Sequence, residues 1–145
     1  MPNNHNQSPN PPIQIPPYYR DLFAAMVHDD SSISDNAFDK VMFERGQAVP
    51  YICAQYYKSQ SRTPRARKLR YYCIQLLAFS ECEKAIPTIL EALNDEYPLV
   101  RKEACYAVED HKIIDALSHI RKRLQDVAPE VRHVAQEVYD FLLRT

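Results

Sequence analysis

The chain has 145 residues, 46% of them hydrophobic and 26% charged, with a formal net charge of -1 at pH 7. That length suits one domain with a real core rather than two. The near-zero charge excludes a protein built mainly to coat nucleic acid, so any such role needs a local patch. No apolar run approaches the roughly 20 residues of a membrane span, and the first residues lack a basic-then-apolar leader, so the expected compartment is the cytoplasm.

Cys53, Cys73, Cys82 and Cys105 form no C-x-x-C pair, which is poor zinc spacing and an unconvincing disulfide framework. Free thiols in or near the core are expected. Gly46 is the single glycine. A chain with one glycine carries no phosphate-cradling loop and few of the sharp turns that β-hairpins need, so it reads as all-α.

Six of the eleven prolines fall in residues 1–17, among Asn, Gln and Ser. No helix forms in such a segment, and a disordered Pro/Asn-rich tail is expected over 1–17, with the folded domain over 18–145. P-N-P-P and I-P-P-Y-Y also suit a proline-rich docking peptide, against the plainer reading of a tail. Tyr18 to His28 reads as a short helix, and Asp29 to Ser32 as a break. Ser34 or Asp35 is placed to cap a second helix carrying Phe38, Val41 and Met42 on one face.

From there the chain repeats itself. A shift of 31 maps Ala85-Ile86-Pro87-Thr88-Ile89 onto Ala116-Leu117-Ser118-His119-Ile120, and Leu93, Asp95 and Pro98 onto Leu124, Asp126 and Pro129. The same shift maps Val100-Arg101 onto Val131-Arg132, and, one step back, onto Leu69-Arg70. So many matches at one period mark a repeat architecture. Ala48-Val49-Pro50 joins the series at a separation of 37, which predicts a six-residue insertion in the loop around Ser59 to Ala66. Each unit holds two helices. Ile86, Ile89, Leu90 and Leu93 make the buried stripe of the first, and Val100, Ala104, Ala107 and Val108 that of the second. Pro98 and Pro129 sit near helix starts, and Pro50 and Pro87 are expected in first turns.

The pattern A-I-P-x-I-x-x-A-L-x-D-x-x-P-x-V-R-x-x-A-x-x-A-V resembles the HEAT repeat, in the short form named after phycobilisome lyases. The resemblance implies a right-handed α-solenoid of three to four helical hairpins. It implies a ladder of turn aspartates and arginines, with Asp95 beside Arg101, Asp126 beside Arg132, and Arg70 lacking an obvious aspartate. It is specific about fold and loose about function, since such repeats serve as scaffolds, adaptors, chromophore-lyase subunits and DNA-binding enzymes.

The residues left after subtracting the buried stripes define the candidate sites. Tyr71, Gln75, Lys102, Tyr106, Glu109, His133, Glu137 and Asp140 lie on the second helices, which would line the concave face, and suit protein recognition. A merely solvated face is the plainer reading. Arg62, Arg65, Arg67 and Lys68 form a basic patch beside Tyr71 and Tyr72, suited to an acidic partner surface ahead of nucleic acid. Arg121-Lys122-Arg123 reads as a helix end complementing its dipole. At the C-terminal helix, Val138, Tyr139 and Leu142 are expected to pack inward, leaving Phe141 and Leu143 as an open apolar end. A partner would dock there, or the chain would self-associate; the plainer reading folds both side chains back over the hairpin edge.

His5, His28, His111, His119 and His133 form no metal-ligand spacing, no catalytic triad is legible, and the His-Glu pairs of di-iron HEAT proteins are absent, so no catalytic residue, metal or cofactor is assigned. The functional expectation is a non-catalytic scaffold or adaptor that binds another protein. The alternatives are a bilin-lyase-like or phycobilisome-associated factor, with Cys105 or His133 beside a tetrapyrrole-sized groove, and a nucleic-acid-binding solenoid working through residues 62–70.

Overall fold

The computed structural model describes residues 13–145, which form eight α-helices and two short 3-10 turns. The helices pair as four antiparallel hairpins: α1 (Pro17–Met26) with α2 (Ser31–Phe43), α3 (Arg45–Lys58) with α4 (Pro64–Ala78), α5 (Ile86–Ala92) with α6 (Pro98–Asp110), and α7 (Leu117–Arg123) with α8 (Pro129–Arg144). The second helices stack side by side, α4 along α6 and α6 along α8, with α2 making a lighter contact to α4. The molecule is an α-solenoid of helical hairpins.

The core follows the predicted stripes. Ile89, Val100, Ala104, Ala107, Val108, Ile120, Val131, Ala135 and Val138 are inaccessible to water. The alanines matter because a methyl side chain lets neighbouring second helices approach closely while still removing apolar area from water. Pro64, Pro98 and Pro129 each occupy the first position of a second helix, where the absent N–H has no helical partner to lose. Thr63 adds a side-chain cap on α4, its hydroxyl accepting from the Ala66 amide at 3.2 Å.

Three local expectations are corrected. The cap of α2 is Asp30 rather than Ser34 or Asp35; its Oδ1 accepts from the Ser32 amide at 2.9 Å and the Ser32 hydroxyl at 2.7 Å. The six extra residues do not enlarge a loop, because the α3–α4 connection spans 59–63, the same length as 93–97 and 124–128. They lengthen the helices instead. α3 runs eight residues past Pro50 where α5 runs five past Pro87, and α4 begins six residues before Arg70 where α6 begins three before Arg101. Each helix of this hairpin therefore gains about one turn. Pro50 also lies inside α3, which starts at Arg45, so it is an interior proline and not a first-turn one.

The link between hairpins uses a conformation the composition did not advertise. Glu81 and Lys112, one repeat apart, both adopt left-handed backbone with φ of 54° and 51°. In a chain whose only glycine is Gly46, these turns are carried by residues with a Cβ.

Of the expected N-terminal tail, residues 1–12, including His5 and P-N-P-P, lie outside the described residues. Ile15 is buried at 5% exposure and Pro17 opens α1, so core packing begins ahead of Tyr18. Ile15→Ala is expected to cost about 2 kcal/mol, as for an edge-of-core aliphatic. Urea denaturation checks this; an unchanged midpoint would contradict the assignment of Ile15 to the core.

Candidate functional site

A ladder of arginines ties successive hairpins together. Arg70 is fully buried. Its Nε and Nη2 donate to the two carboxylate oxygens of Asp95 at 2.9 and 3.1 Å, and its Nη1 donates to the Ser59 and Ser61 carbonyls. Arg101 repeats this posture one hairpin later: Nε and Nη2 donate to Asp126 at 2.8 Å each, and Nη1 to the Asp95 carbonyl at 2.8 Å. The expected pairs, Asp95 with Arg101 and Asp126 with Arg132, are therefore corrected. Arg70 and Arg101 each reach the turn carboxylate of the following hairpin and take only backbone carbonyls from their own, two for Arg70 and one for Arg101. Arg70 is not partnerless but the most buried rung. Arg132 holds the Asp126 carbonyl at 2.6 Å, and its Nε and Nη2 have no partner among the described residues.

Both aspartates are saturated. Asp95 also accepts from the Tyr97 amide at 2.9 Å and from the Tyr56 hydroxyl at 2.7 Å. Burial, and then the Asp95 carboxylate beside it, push the Tyr56 phenol well above its ordinary pKa, so it stays a donor. Asp126 also accepts from the Ala128 amide at 2.9 Å and from Arg123 at 3.1 Å. Burial raises the Asp126 carboxyl, but the bonds from Arg101 and Ala128 and the charges of Arg101 and Arg123 outweigh it, and the net shift is downward.

On the second-helix face, Tyr71 and Gln75 lie on α4, Lys102, Tyr106 and Glu109 on α6, all half-buried; His133, Glu137 and Asp140 lie exposed on α8. Gln75 donates to the Tyr71 hydroxyl at 3.1 Å, His133 lies 3.2 Å from Glu137, and Asp140 accepts from Gln136 at 3.0 Å. Glu103 belongs with this set and was missed. It is half-buried on α6, one turn before Tyr106 and beside Tyr71, and burial raises its carboxyl pKa. Its position one turn from Tyr106 was the available signal.

The basic patch divides. Arg67 forms a two-point pair with Glu96, both bonds 2.8 Å, and its guanidinium lies 5.3 Å from the centre of the Tyr97 ring. Glu96 is shared, since Arg70 Nη2 also donates to it at 2.8 Å. Arg65 reaches the Ala24 carbonyl at 3.5 Å, and Lys68 lies over Tyr72 at 5.8 Å. Among the described residues Arg62, Arg65 and Lys68 form no ion pair. Between α4 and the start of α6 runs a groove of about 450 Å³ lined by Pro64, Arg67, Lys68, Tyr71, Tyr72, Tyr97 and Leu99. Tyr71 and Tyr72 are the aromatics expected beside the basic patch, whereas Tyr97 and Leu99 have no place in the expected sites. Tyr97 and Leu99 come from the connection before α6 and its first turn, 25 or more residues from the α4 tyrosines, so no local pattern announced them.

At the C-terminal helix Val138 and Leu142 are buried, Tyr139 is half-buried and Leu143 is 58% exposed. Phe141 departs from expectation: it is half-buried against the core, so the uncovered apolar surface there is smaller than the sequence suggests. Cys105 lies inaccessible in the core rather than at a groove, and burial pushes its thiol up to about 12. Cys73 is also buried, while Cys53 and Cys82 are half-buried, and all four are free. No group of three or more His, Cys, Asp or Glu side chains able to hold a metal occurs among the described residues, and no described helix is long and apolar enough to cross a membrane.

The fold and the ladder define a helical-repeat solenoid. The family model for HEAT repeats matches residues 59–140, more than half of the chain, and the chain belongs to the HEAT repeat family. The match is to HEAT repeats as a class, not to the lyase-type subgroup. No curated protein and no solved structure matches it. HEAT repeats generally serve as protein-interaction scaffolds.

The depressed Asp126 carboxyl ties stability to pH. Its contribution is present above the ordinary carboxylate range and is lost as pH falls through the lower folded value. Asp126→Asn is therefore expected to be less stable than wild type at pH 7, with the gap narrowing below about pH 4. Urea melts at pH 7 and pH 2.5 check this, and a constant gap would contradict it.

Proposed function

We propose that the protein is a non-catalytic binding module, a scaffold or adaptor that holds a partner protein on the concave face formed by its second helices. The observation that carries this reading is the groove between α4 and α6, where three tyrosine rings line one depression. Each ring packs one side against the core and stays half-exposed in the groove, and large rigid aromatics in a depression are the side chains that concentrate binding energy at interfaces. Their walls are braced: Tyr72 packs against Phe38 at 5.5 Å and Tyr71 at 5.7 Å between ring centres. Bracing lowers the ordering cost of association. Tyr106, Glu109, His133, Glu137 and Asp140 extend the same face towards the C-terminus and form its polar rim.

A second contact point at the C-terminal hairpin is favoured by Arg132. The two groups, Nε and Nη2, that Arg70 and Arg101 give to a carboxylate have no partner on Arg132 among the described residues, and the same helix carries exposed Leu143 three turns further on. A partner hairpin bearing an aspartate at its turn would complete that rung, as would self-association that supplies a carboxylate.

Affinity purification of wild type against the double variant Tyr71→Ala/Tyr106→Ala tests the main reading. The expected result is a set of co-purifying proteins lost in the variant while circular dichroism shows that it remains folded at the assay temperature. Retention of the same proteins by a folded double variant would refute the second-helix face as the binding surface.

A further inference from the structure

The geometry points to a particular ligand for the α4–α6 groove: a short acidic segment of a partner protein carrying an apolar or aromatic anchor residue. This rests on the protein-binding reading above and adds the chemistry of what is bound. The groove floor is apolar and aromatic, through Tyr72, Tyr97 and Leu99. Such a floor takes a hydrophobic side chain or a proline ring and leaves the tyrosine hydroxyls to bond the flanking peptide backbone.

Charge selects what flanks the anchor. The Arg67 charge is matched by Glu96, and the buried Arg70, which shares that carboxylate, is itself matched by Asp95. Lys68 lines the groove exposed, and Arg62 and Arg65, exposed in the preceding connection and first turn, have no acidic partner among the described residues. Lys68 is thus the unpaired cation of the groove lining, with Arg62 and Arg65 adding positive charge from outside it, and this field attracts carboxylates and repels a basic segment.

The same face changes sign one helix further on. Glu103, Glu109 and Asp110 on α6, then Glu137 and Asp140 on α8, outnumber Lys102 and His133. Burial raises the carboxyl pKa values of Glu103 and Asp110 and outweighs the lowering influence of the neighbouring Lys102 and His111. Packed helices lie about 8–10 Å apart, so a nucleic-acid strand following the face would run its phosphates into these carboxylates within a few nucleotides. A short acidic motif ends before that point. The charge reversal therefore favours a peptide over a polynucleotide, and favours a neutral or basic continuation where the bound segment crosses α6 and α8.

An immobilised array of twelve-residue peptides tests this with the purified full chain. Each peptide carries a central Leu-Phe or Pro-Phe anchor flanked by Asp/Glu, Ser/Gly or Lys/Arg, and a single-stranded oligouridine is used as competitor. Acid-flanked peptides are expected to bind at least about tenfold more tightly than base-flanked ones, as a few exposed charge pairs supply, and added salt should shrink the difference. Arg62→Glu/Lys68→Glu should abolish the acidic preference, and Tyr72→Ala should weaken every anchored peptide; circular dichroism melts confirm that both variants fold. Equal binding of all flanks, still lost in Tyr71→Ala/Tyr106→Ala, would overturn the acidic ligand and leave the protein-binding face standing. Capture of no peptide would overturn both. Oligouridine that binds more tightly than any peptide, with the same dependence on Lys68 and Tyr72, would replace the peptide by nucleic acid.

Discussion

A guanidinium sealed from water sets the geometry of this molecule. Arg70 has no exposed surface, yet every donor group it carries is occupied, by Asp95, by Glu96 and by the carbonyls of the preceding turn. Burying such a charge is costly, and the attraction of the pair offsets that cost only with near-complete hydrogen bonding. Here that condition is met, and Arg101, slightly exposed, follows with three such bonds one repeat later, two to Asp126 and one to the Asp95 carbonyl. Removing one partner would leave a buried ion uncompensated, a loss of about 3–5 kcal/mol. The ladder's role is best seen as register. The alanines between α4, α6 and α8 permit close approach but specify little, because small apolar surfaces tolerate sliding. A two-point Arg–carboxylate pair does not tolerate it.

That register has a functional consequence. With the ladder and the alanine stripe setting the register, the opposite flank of the second helices carries side chains only partly engaged by the core. Tyr71, Tyr72 and Tyr97 come from two hairpins, and they share a groove because Arg70 ties the α4 hairpin to the turn that carries Asp95, Glu96 and Tyr97. Structural and surface electrostatics meet in this turn. Asp95 faces inward to Arg70, while Glu96, the next residue, reaches outward to Arg67 and braces the wall of the groove. A change at the buried rung would therefore be felt at the proposed binding surface.

Much of the architecture was legible in the sequence. The 31-residue period, the apolar stripes and the prolines at helix starts repeat in the primary structure because each unit solves the same packing problem. What was not legible is long-range or compensating. The six extra residues of the second hairpin suggested a loop, but adding three residues to each helix preserves a standard five-residue connection. The ladder was misread because an aspartate six positions before an arginine looks like its partner. The true partner lies 25 residues downstream in the next repeat, and only the backbone carbonyl of the nearer aspartate is used. The face residues Tyr71, Tyr106 and Glu109 emerged by subtraction of the buried stripe, whereas Tyr97 and Leu99 enter the groove from a connection and a helix start, where no periodicity marks them. Phe141 read as uncovered because its helical position points away from the previous repeat, yet it finds partial cover against the core.

The cross-repeat ladder is tested most directly by two double-mutant cycles in urea: Arg101→Ala with Asp126→Asn, and Arg101→Ala with Asp95→Asn. Pairing between successive hairpins predicts a coupling of about 1–3 kcal/mol for the first cycle. For the second it predicts less than about 0.5 kcal/mol, since the Asp95 side chain serves Arg70 while Arg101 takes only its carbonyl. A larger coupling in the second cycle than in the first would contradict the register on which the rest of the structure depends.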